Sequence, residues 1–206
     1  LIFFFFFLLD AFKDFGNMKQ YAFFRLLAYT GMRKSEVLAL QWKDIDTFNK
    51  ELHVNKTLAV DEFGKVIIQS PKTRASRRVI SLDTETLSIL NNWKLQQKEE
   101  YLKLGYNTSS KEQHVFTTVK NTLYIPNTVN DWLRYILKKY NLPRITPHGF
   151  RHTHASLLLE AGESVKVVQQ RLGHENSKVT LDIYAHITNN APKKTGQDFA
   201  DMMAHQ

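Results

Sequence analysis

At 206 residues, with 43% apolar and 12% aromatic content, the chain is long enough for one ordinary domain and too apolar to be disordered. A formal charge of +8 favours a polyanionic partner, either nucleic acid or an anionic membrane surface. The absence of cysteine excludes a disulfide framework, a thiol nucleophile and a cysteine zinc site, and it fits a reducing compartment.

Residues Leu1 to Leu9 are all apolar and include five consecutive phenylalanines, which is about half of what a membrane-spanning helix needs. No basic stretch precedes them and no small-residue cleavage site follows, so a signal peptide is not expected. A run this apolar must be buried or it becomes an aggregation hazard. Helical spacing then covers residues 18–29 and stops at Thr30-Gly31, where glycine permits a chain reversal. A second helix is predicted from Arg33, turning Val37, Leu38 and Leu40 inward. The period changes in the middle of the chain. Glu51 to Asn55 alternates as a strand, Asp61-Glu62-Phe63-Gly64 makes a turn, and Val66 to Ile68 and Arg78 to Ile80 supply two more strands. A small three-stranded antiparallel sheet is the expectation.

Helical spacing returns over 84–102, with Leu87, Leu90 and Trp93 as the apolar side, and again from Val129 to Tyr140. Thr146-Pro147 reads as an N-cap with a first-turn proline, so His148 and Arg151 open a new helix. Ser164 starts a short helix ending at Gly173, and Ser177 is expected to cap the helix that carries Tyr184. A Pro-Lys-Lys-Thr-Gly linker and a short amphipathic tail with Phe199, Met202 and Met203 close the chain. No internal repeat and no boundary between two domains is evident. The fold class is α+β and mainly helical.

Six residues stand out by context. Arg33 lies in Thr-Gly-Met-Arg-Lys-Ser-Glu, Lys72 in Ser-Pro-Lys-Thr-Arg, and His148 with Arg151 in His-Gly-Phe-Arg. His174 follows in Leu-Gly-His and Tyr184 in Asp-Ile-Tyr-Ala-His. In this order and these contexts they closely resemble the catalytic domain of the tyrosine recombinases, the phage-integrase family. The likeness runs from about Tyr21 to about Ile187 and is nearest to integrases of phages and conjugative transposons in low-GC Gram-positive bacteria. The resemblance implies the tyrosine-recombinase catalytic fold over residues 1–190, with residues 191–206 as linker and tail helix. Full-length relatives carry a core-binding domain, and many an arm-binding domain, ahead of this one; both are expected to be absent here. It further implies an enzyme of the bacterial cytoplasm, acting at the nucleoid without metal, ATP or other cofactor. Its substrate would be double-stranded DNA at attachment sites, bound as a homotetramer and in some systems with a directionality factor. A membrane partner is not expected.

The chemistry suits these residue types. Exchanging DNA strands without ATP requires that the energy of the broken phosphodiester be kept, and a protein hydroxyl keeps it as a phosphoester. A tyrosine phenol ionises near pH 10, so it needs cationic surroundings to attack at neutrality. Arg33 and Arg151 are candidates to clamp the transition-state oxygens, because each guanidinium is permanently charged and donates two parallel hydrogen bonds. Glu36 is a candidate to hold Arg33. His148 and Arg151, three apart on one helix, reach the same side. His154 groups with Phe150, Leu157 and Leu158 as a core histidine, and neither it nor His152 is expected to do chemistry.

The remaining roles come from the resemblance. It makes Tyr184 the nucleophile, Lys72 the donor of a proton to the departing 5′ oxygen, and His174 a hydrogen-bond donor to the scissile phosphate. Taken alone, a strand-turn lysine is usually solvated and a tyrosine beside Thr180, Ile183 and Ile187 is usually packing. Arg74, Arg77 and Arg78 around Lys72, with Arg134 and Lys138, are candidates for contact with the DNA backbone. Three other readings remain. A metal-dependent nuclease built on His148, His152, His154 and His174 lacks paired carboxylates. A non-catalytic DNA-binding module leaves the ordered series unexplained. A type IB topoisomerase shares the chemistry but needs no paired sites.

Overall fold

The computed structural model describes residues 2–15, 17–71 and 73–188; Lys72 and the tail expected over 191–206 lie outside the described residues. The apolar leader forms helix α1 (Ile2–Asp14). Phe5, Leu8, Leu9 and Phe12 face inward, and Phe3, Phe6 and Phe7 stay exposed, so burial answers only half of the run. Helix α2 (Met18–Thr30) is the centre of the core, burying every residue from Tyr21 to Ala28. Phe12 stacks on Phe24 at 4.1 Å, and Phe23 and Phe24 meet Phe116 and Phe150 at 5.1 and 5.5 Å. Arg25 is buried there too, neutralised by Asp83 and Glu85 at 3.0 Å each.

Gly31 ends α2 with φ of 64°, and its backbone N–H returns to the Leu27 carbonyl. The glycine is required for space as well as for conformation. A β-carbon there would sit 2.5 Å from Leu172 Cδ2 and 2.8 Å from His154 Cδ2. Gly31→Ala is therefore expected to destabilise the domain by about 2–4 kcal/mol, through left-handed strain plus overpacking. Urea unfolding checks this, and a loss below about 0.5 kcal/mol, the scale of an ordinary surface change, would mean that the contact relaxes freely.

Helix α3 (Lys34–Leu38) follows, then a 3-10 turn, Trp42–Asp44. The β region departs from the sequence expectation. Strands β1 (Ile45–Asp46), β2 (Glu51–Val54) and β5 (Arg78–Ser81) form the three-stranded antiparallel sheet, with Leu52 paired to Ile45 and Ile80. Residues 66–69 are not part of it. Strands β3 (Thr57–Val60) and β4 (Val66–Gln69) make a separate hairpin in which Leu58 faces Ile68. The break falls at Asn55-Lys56, where both side chains bond the buried Asp44 carboxylate, at 3.1 and 2.6 Å. That anchor removes the chain from the first sheet before the hairpin begins.

Helix α4 (Thr84–Lys103) covers the other side of α2. Its Trp93, Gln97 and Tyr101 hold the following loop by bonding the carbonyls of Val115, His114 and Thr117. Helices α5 (Thr128–Lys139) and α6 (Pro147–Glu160) come next, with Thr146 capping α6 through the Gly149 N–H. Helix α7 (Val165–Leu172) is capped by Ser164 and ends at Gly173 in the left-handed region. Helix α8 spans Ser177–Thr188, and the Asn176 side chain accepts from the Lys178 N–H in its first turn. A second apolar cluster of Ala155, Leu159, Val168, Leu172 and Ile183 joins α6, α7 and α8. No described helix is long and apolar enough to cross a membrane.

Candidate active site

The end of α2, the start of α3, the first half of α6 and the end of α7 converge, and Arg151 marks the meeting point. Its guanidinium donates to the Gly31 carbonyl at 2.8 Å and to the Leu172 carbonyl at 2.7 Å, and the residue is only 3% exposed. A guanidinium has five N–H donors, so these two anchors leave three for a ligand. No ion pair to Arg151 forms among the described residues. Burial first, and then the nearby charge of Arg33, push its pKa down to about 9. A buried cation held by carbonyls alone is costly until an anion arrives.

Arg33 sits immediately before α3, and its Nη1 meets Glu36 Oε1 at 2.9 Å. The other Glu36 oxygen accepts the Arg33 backbone N–H at 2.8 Å. The Arg33 side chain remains 43% exposed while that of Glu36 is 3% exposed, so a buried carboxylate aims a reachable guanidinium. Burial would raise the Glu36 pKa, but hydrogen bonds and charge from Arg78 and Arg33 outweigh it and hold the carboxyl below its usual range.

His148 opens α6 beside these arginines. Burial, then Arg151, His152 and Arg33, lower its pKa. His174 follows Gly173, and its Nδ1 lies 2.9 Å from the Thr180 hydroxyl on α8. Burial leads, and Arg151, Arg33, Arg78 and His148 add to it, bringing the His174 pKa to about 4. Thr180 and Ile183 are buried and anchor α8, while Tyr184, one position further round, is 42% exposed. Arg33, His148 and Arg151 also line one end of a groove of about 990 Å³ that continues past Arg134, Lys138 and Arg144. No acidic side chain lines it. Four cationic or imidazole groups, a groove without carboxylates and a half-exposed phenol on the adjoining helix suit a phosphodiester.

Residues 7–191 match the phage integrase family. The chain belongs to that family. Among its relatives, the ICEBs1 integrase of Bacillus subtilis (strain 168) is 34% identical over 181 residues, covering 88% of this chain and 48% of that protein. A tyrosine recombinase XerC-like protein of Caldanaerobacter subterraneus subsp. tengcongensis is 36% identical over 177 residues, 81% of this chain and 45% of its own. The Tn1549 transposon integrase, solved in complex with transposon right end DNA, superposes with a TM-score of 0.76 at 26% identity, over 93% of this chain and 64% of that one. XerA recombinase shares the fold with a TM-score of 0.67 at 24% identity, over 93% of this chain and 61% of its own. This integrase-family chain spans about half the length of the curated relatives it matches.

Of the site residues read from the sequence, Arg33, Glu36, His148, Arg151 and His174 converge as described. Lys72 lies outside the described residues. Arg74 and Arg77 are exposed, and Arg134 and Lys138 are exposed on the groove side of α5. Arg78 requires a correction. Its side chain is 5% exposed and paired with Glu36 at 2.9 Å, so it is not available to track a DNA backbone. Arg171 was not anticipated. It ties α7 to the core through His154 Nε2 and the Tyr29 and Ser81 carbonyls. Arg144 and Lys34, also unanticipated, line the groove. Among the described residues, no three His, Asp or Glu side chains gather as a metal site.

His154 is the core histidine expected, with Nδ1 at 2.9 Å from the Ala28 carbonyl and Nε2 accepting from Arg171. Burial, then Arg171, bring its pKa to about 4, against about 6.5 in an unfolded chain. Between these values the unfolded state binds the extra proton, so stability should fall as pH drops from about 6.5 to about 4, by about 1–3 kcal/mol. His174, lowered to the same pKa, adds to this trend, and Glu36 adds to it below the ordinary glutamate value of 4.5. Urea midpoints at pH 7, 6 and 5 test this, with His154→Gln expected to flatten the slope; an unchanged slope in that variant would assign it elsewhere.

Proposed function

We propose that this chain is the catalytic part of a site-specific DNA recombinase, cutting and rejoining strands through a 3′-phosphotyrosine on Tyr184. The observation that carries the reading is the convergence of Arg33, Arg151 and His148 on a groove that no acidic side chain lines, with His174 close enough to feel their charge and tied through Thr180 to the helix of Tyr184. In this mechanism the Tyr184 phenol gives up its proton to water, its oxygen bonds to phosphorus, and the bond to the 5′ oxygen breaks. The 5′ oxygen leaves as a hydroxyl after taking a proton from Lys72. Arg33 and Arg151 balance the charge gained by the equatorial oxygens, a contribution on the order of a hundredfold or more in rate for each donor. In the tautomer with the Thr180 hydroxyl donating to Nδ1, His174 carries its proton on Nε2, from which it can donate to the phosphate. Rejoining is the reverse, with a new 5′ hydroxyl as nucleophile.

The full-length protein would act as a homotetramer on two attachment sites, with a directionality factor in some contexts. The decisive experiment incubates the chain with a nicked half-site duplex in EDTA and looks for an adduct that survives detergent. Formation of the adduct supports strand transfer and excludes a metal-dependent nuclease; its absence at high protein concentration would leave a DNA-binding module. Supercoil relaxation without paired sites would favour a type IB topoisomerase instead.

The role of Lys72 has its own test. Lys72→Ala should slow cleavage of ordinary DNA by about 10²–10⁴, the usual range for general acid catalysis. Replacing the departing 5′ oxygen by sulfur, which leaves without protonation, should recover most of that loss. Equal losses on both substrates would reduce Lys72 to a backbone contact.

A further inference from the structure

The Arg78 guanidinium makes four hydrogen bonds, and its partners are the supports of the site. From β5 its Nε reaches the Arg171 carbonyl at 2.7 Å, near the end of α7, two residues before Gly173. Its Nη1 and Nη2 grip the two Glu36 oxygens at 3.1 and 2.9 Å. Nη1 also holds the Ser76 carbonyl at 3.1 Å, on the 3-10 turn (Arg74–Ser76) between Lys72 and β5. Gly173 is shaped to admit it, since a β-carbon there would lie 3.1 Å from Arg78 Cδ and 2.8 Å from the Ala75 carbonyl. One side chain therefore joins the carboxylate behind Arg33, the 3-10 turn at Arg74–Ser76, and the helix end that presents His174.

The sharing of Glu36 has a chemical consequence. A carboxylate and a guanidinium left alone close into a two-bond fork. Here Arg78 occupies both oxygens, and Arg33 is left with one side-chain bond, Nη1 to Oε1. Two cations on one anion also leave a net positive charge, which stays on the exposed partner.

We propose that Arg78 is a positioning residue for strand transfer: by engaging both oxygens of Glu36 it keeps Arg33 from closing on that carboxylate and leaves it free for the scissile phosphate. This rests on the recombinase reading above and concerns a residue that does not touch the DNA.

Three variants separate this from simple scaffolding. Arg78→Met fills the space of the stem but releases Glu36, and Arg78→Lys keeps a charge while losing the fork. Both should bind duplex DNA within about threefold of wild type yet cleave a nicked half-site at saturation about tenfold or more slowly, because only transition-state contacts are lost. Adding Glu36→Gln to Arg78→Met removes the trap for Arg33 and should recover at least about threefold of the rate, a non-additivity that a strut would not produce. Wild-type cleavage in Arg78→Met and Arg78→Lys, or a further loss in the double variant, overturns the proposal. A wild-type chain that forms no adduct would instead defeat the recombinase reading. In that case the side-chain ¹⁵N signals of Arg33 still decide the positioning: they should shift in Arg78→Met, and unchanged signals overturn it.

Discussion

Tyr184→Phe is expected to form no covalent adduct on a nicked half-site while keeping its fold and binding duplex DNA within about twofold of wild type. The substitution removes one oxygen, and with it the only group assigned to bond phosphorus, so no partial activity remains to be shared among other residues. The fold should tolerate it. Helix α8 is fixed by the buried Thr180 and Ile183, and Tyr184 is 42% exposed, so loss of the hydroxyl should cost no more than about 1 kcal/mol. Binding should persist because affinity for DNA comes chiefly from cations neutralising phosphates, and its salt dependence should be unchanged. Detergent-resistant adduct, urea midpoint and salt-dependent binding are read on the same preparation. Adduct that persists in this variant and maps to another residue would remove Tyr184 from the mechanism.

Much of the arrangement that makes such a test meaningful was legible in the sequence, because it is locally encoded. Thr146-Pro147 announces α6, Gly31 and Gly173 announce the ends of α2 and α7, and the 3.6-residue spacing of Val129, Leu133, Ile136 and Leu137 gives α5 with its buried face. What failed was decided by partners distant in sequence. Strand β1 is two residues long and has no periodicity to read, and the break after β2 depends on Asp44 capturing Asn55 and Lys56. Arg74, Arg77 and Arg78 look alike in sequence. Glu36, 42 residues away, buries one of them and leaves the others at the surface. The phenylalanine run also resisted reading, since a helix apolar on every side gives no hint of which face the core will take; Phe5 is buried while Phe6 and Phe7 are exposed.

Arg151→Met should lower the rate of adduct formation by about 10²–10³ while changing global stability by no more than about 1 kcal/mol, because two opposing effects nearly cancel. Losing the guanidinium orphans the Gly31 and Leu172 carbonyls, at a cost of about 1 kcal/mol each or somewhat more. Against this, the cation itself is held at an unfavourable site. Burial and Arg33 lower its pKa to about 9, which means that the folded state disfavours the charge. Replacing it by a methionine of similar length removes that penalty and keeps the space filled. The balance differs once DNA is bound, because the phosphate supplies the anion that the folded protein lacks. Wild type should therefore gain more thermal stability from a half-site duplex than Arg151→Met does, and the difference should shrink as salt rises. A variant that unfolds on its own, by more than about 3 kcal/mol, would mark Arg151 as chiefly a strut between α2 and α7. A variant that cleaves normally would remove it from the phosphate clamp, leaving that role to Arg33 at the start of α3.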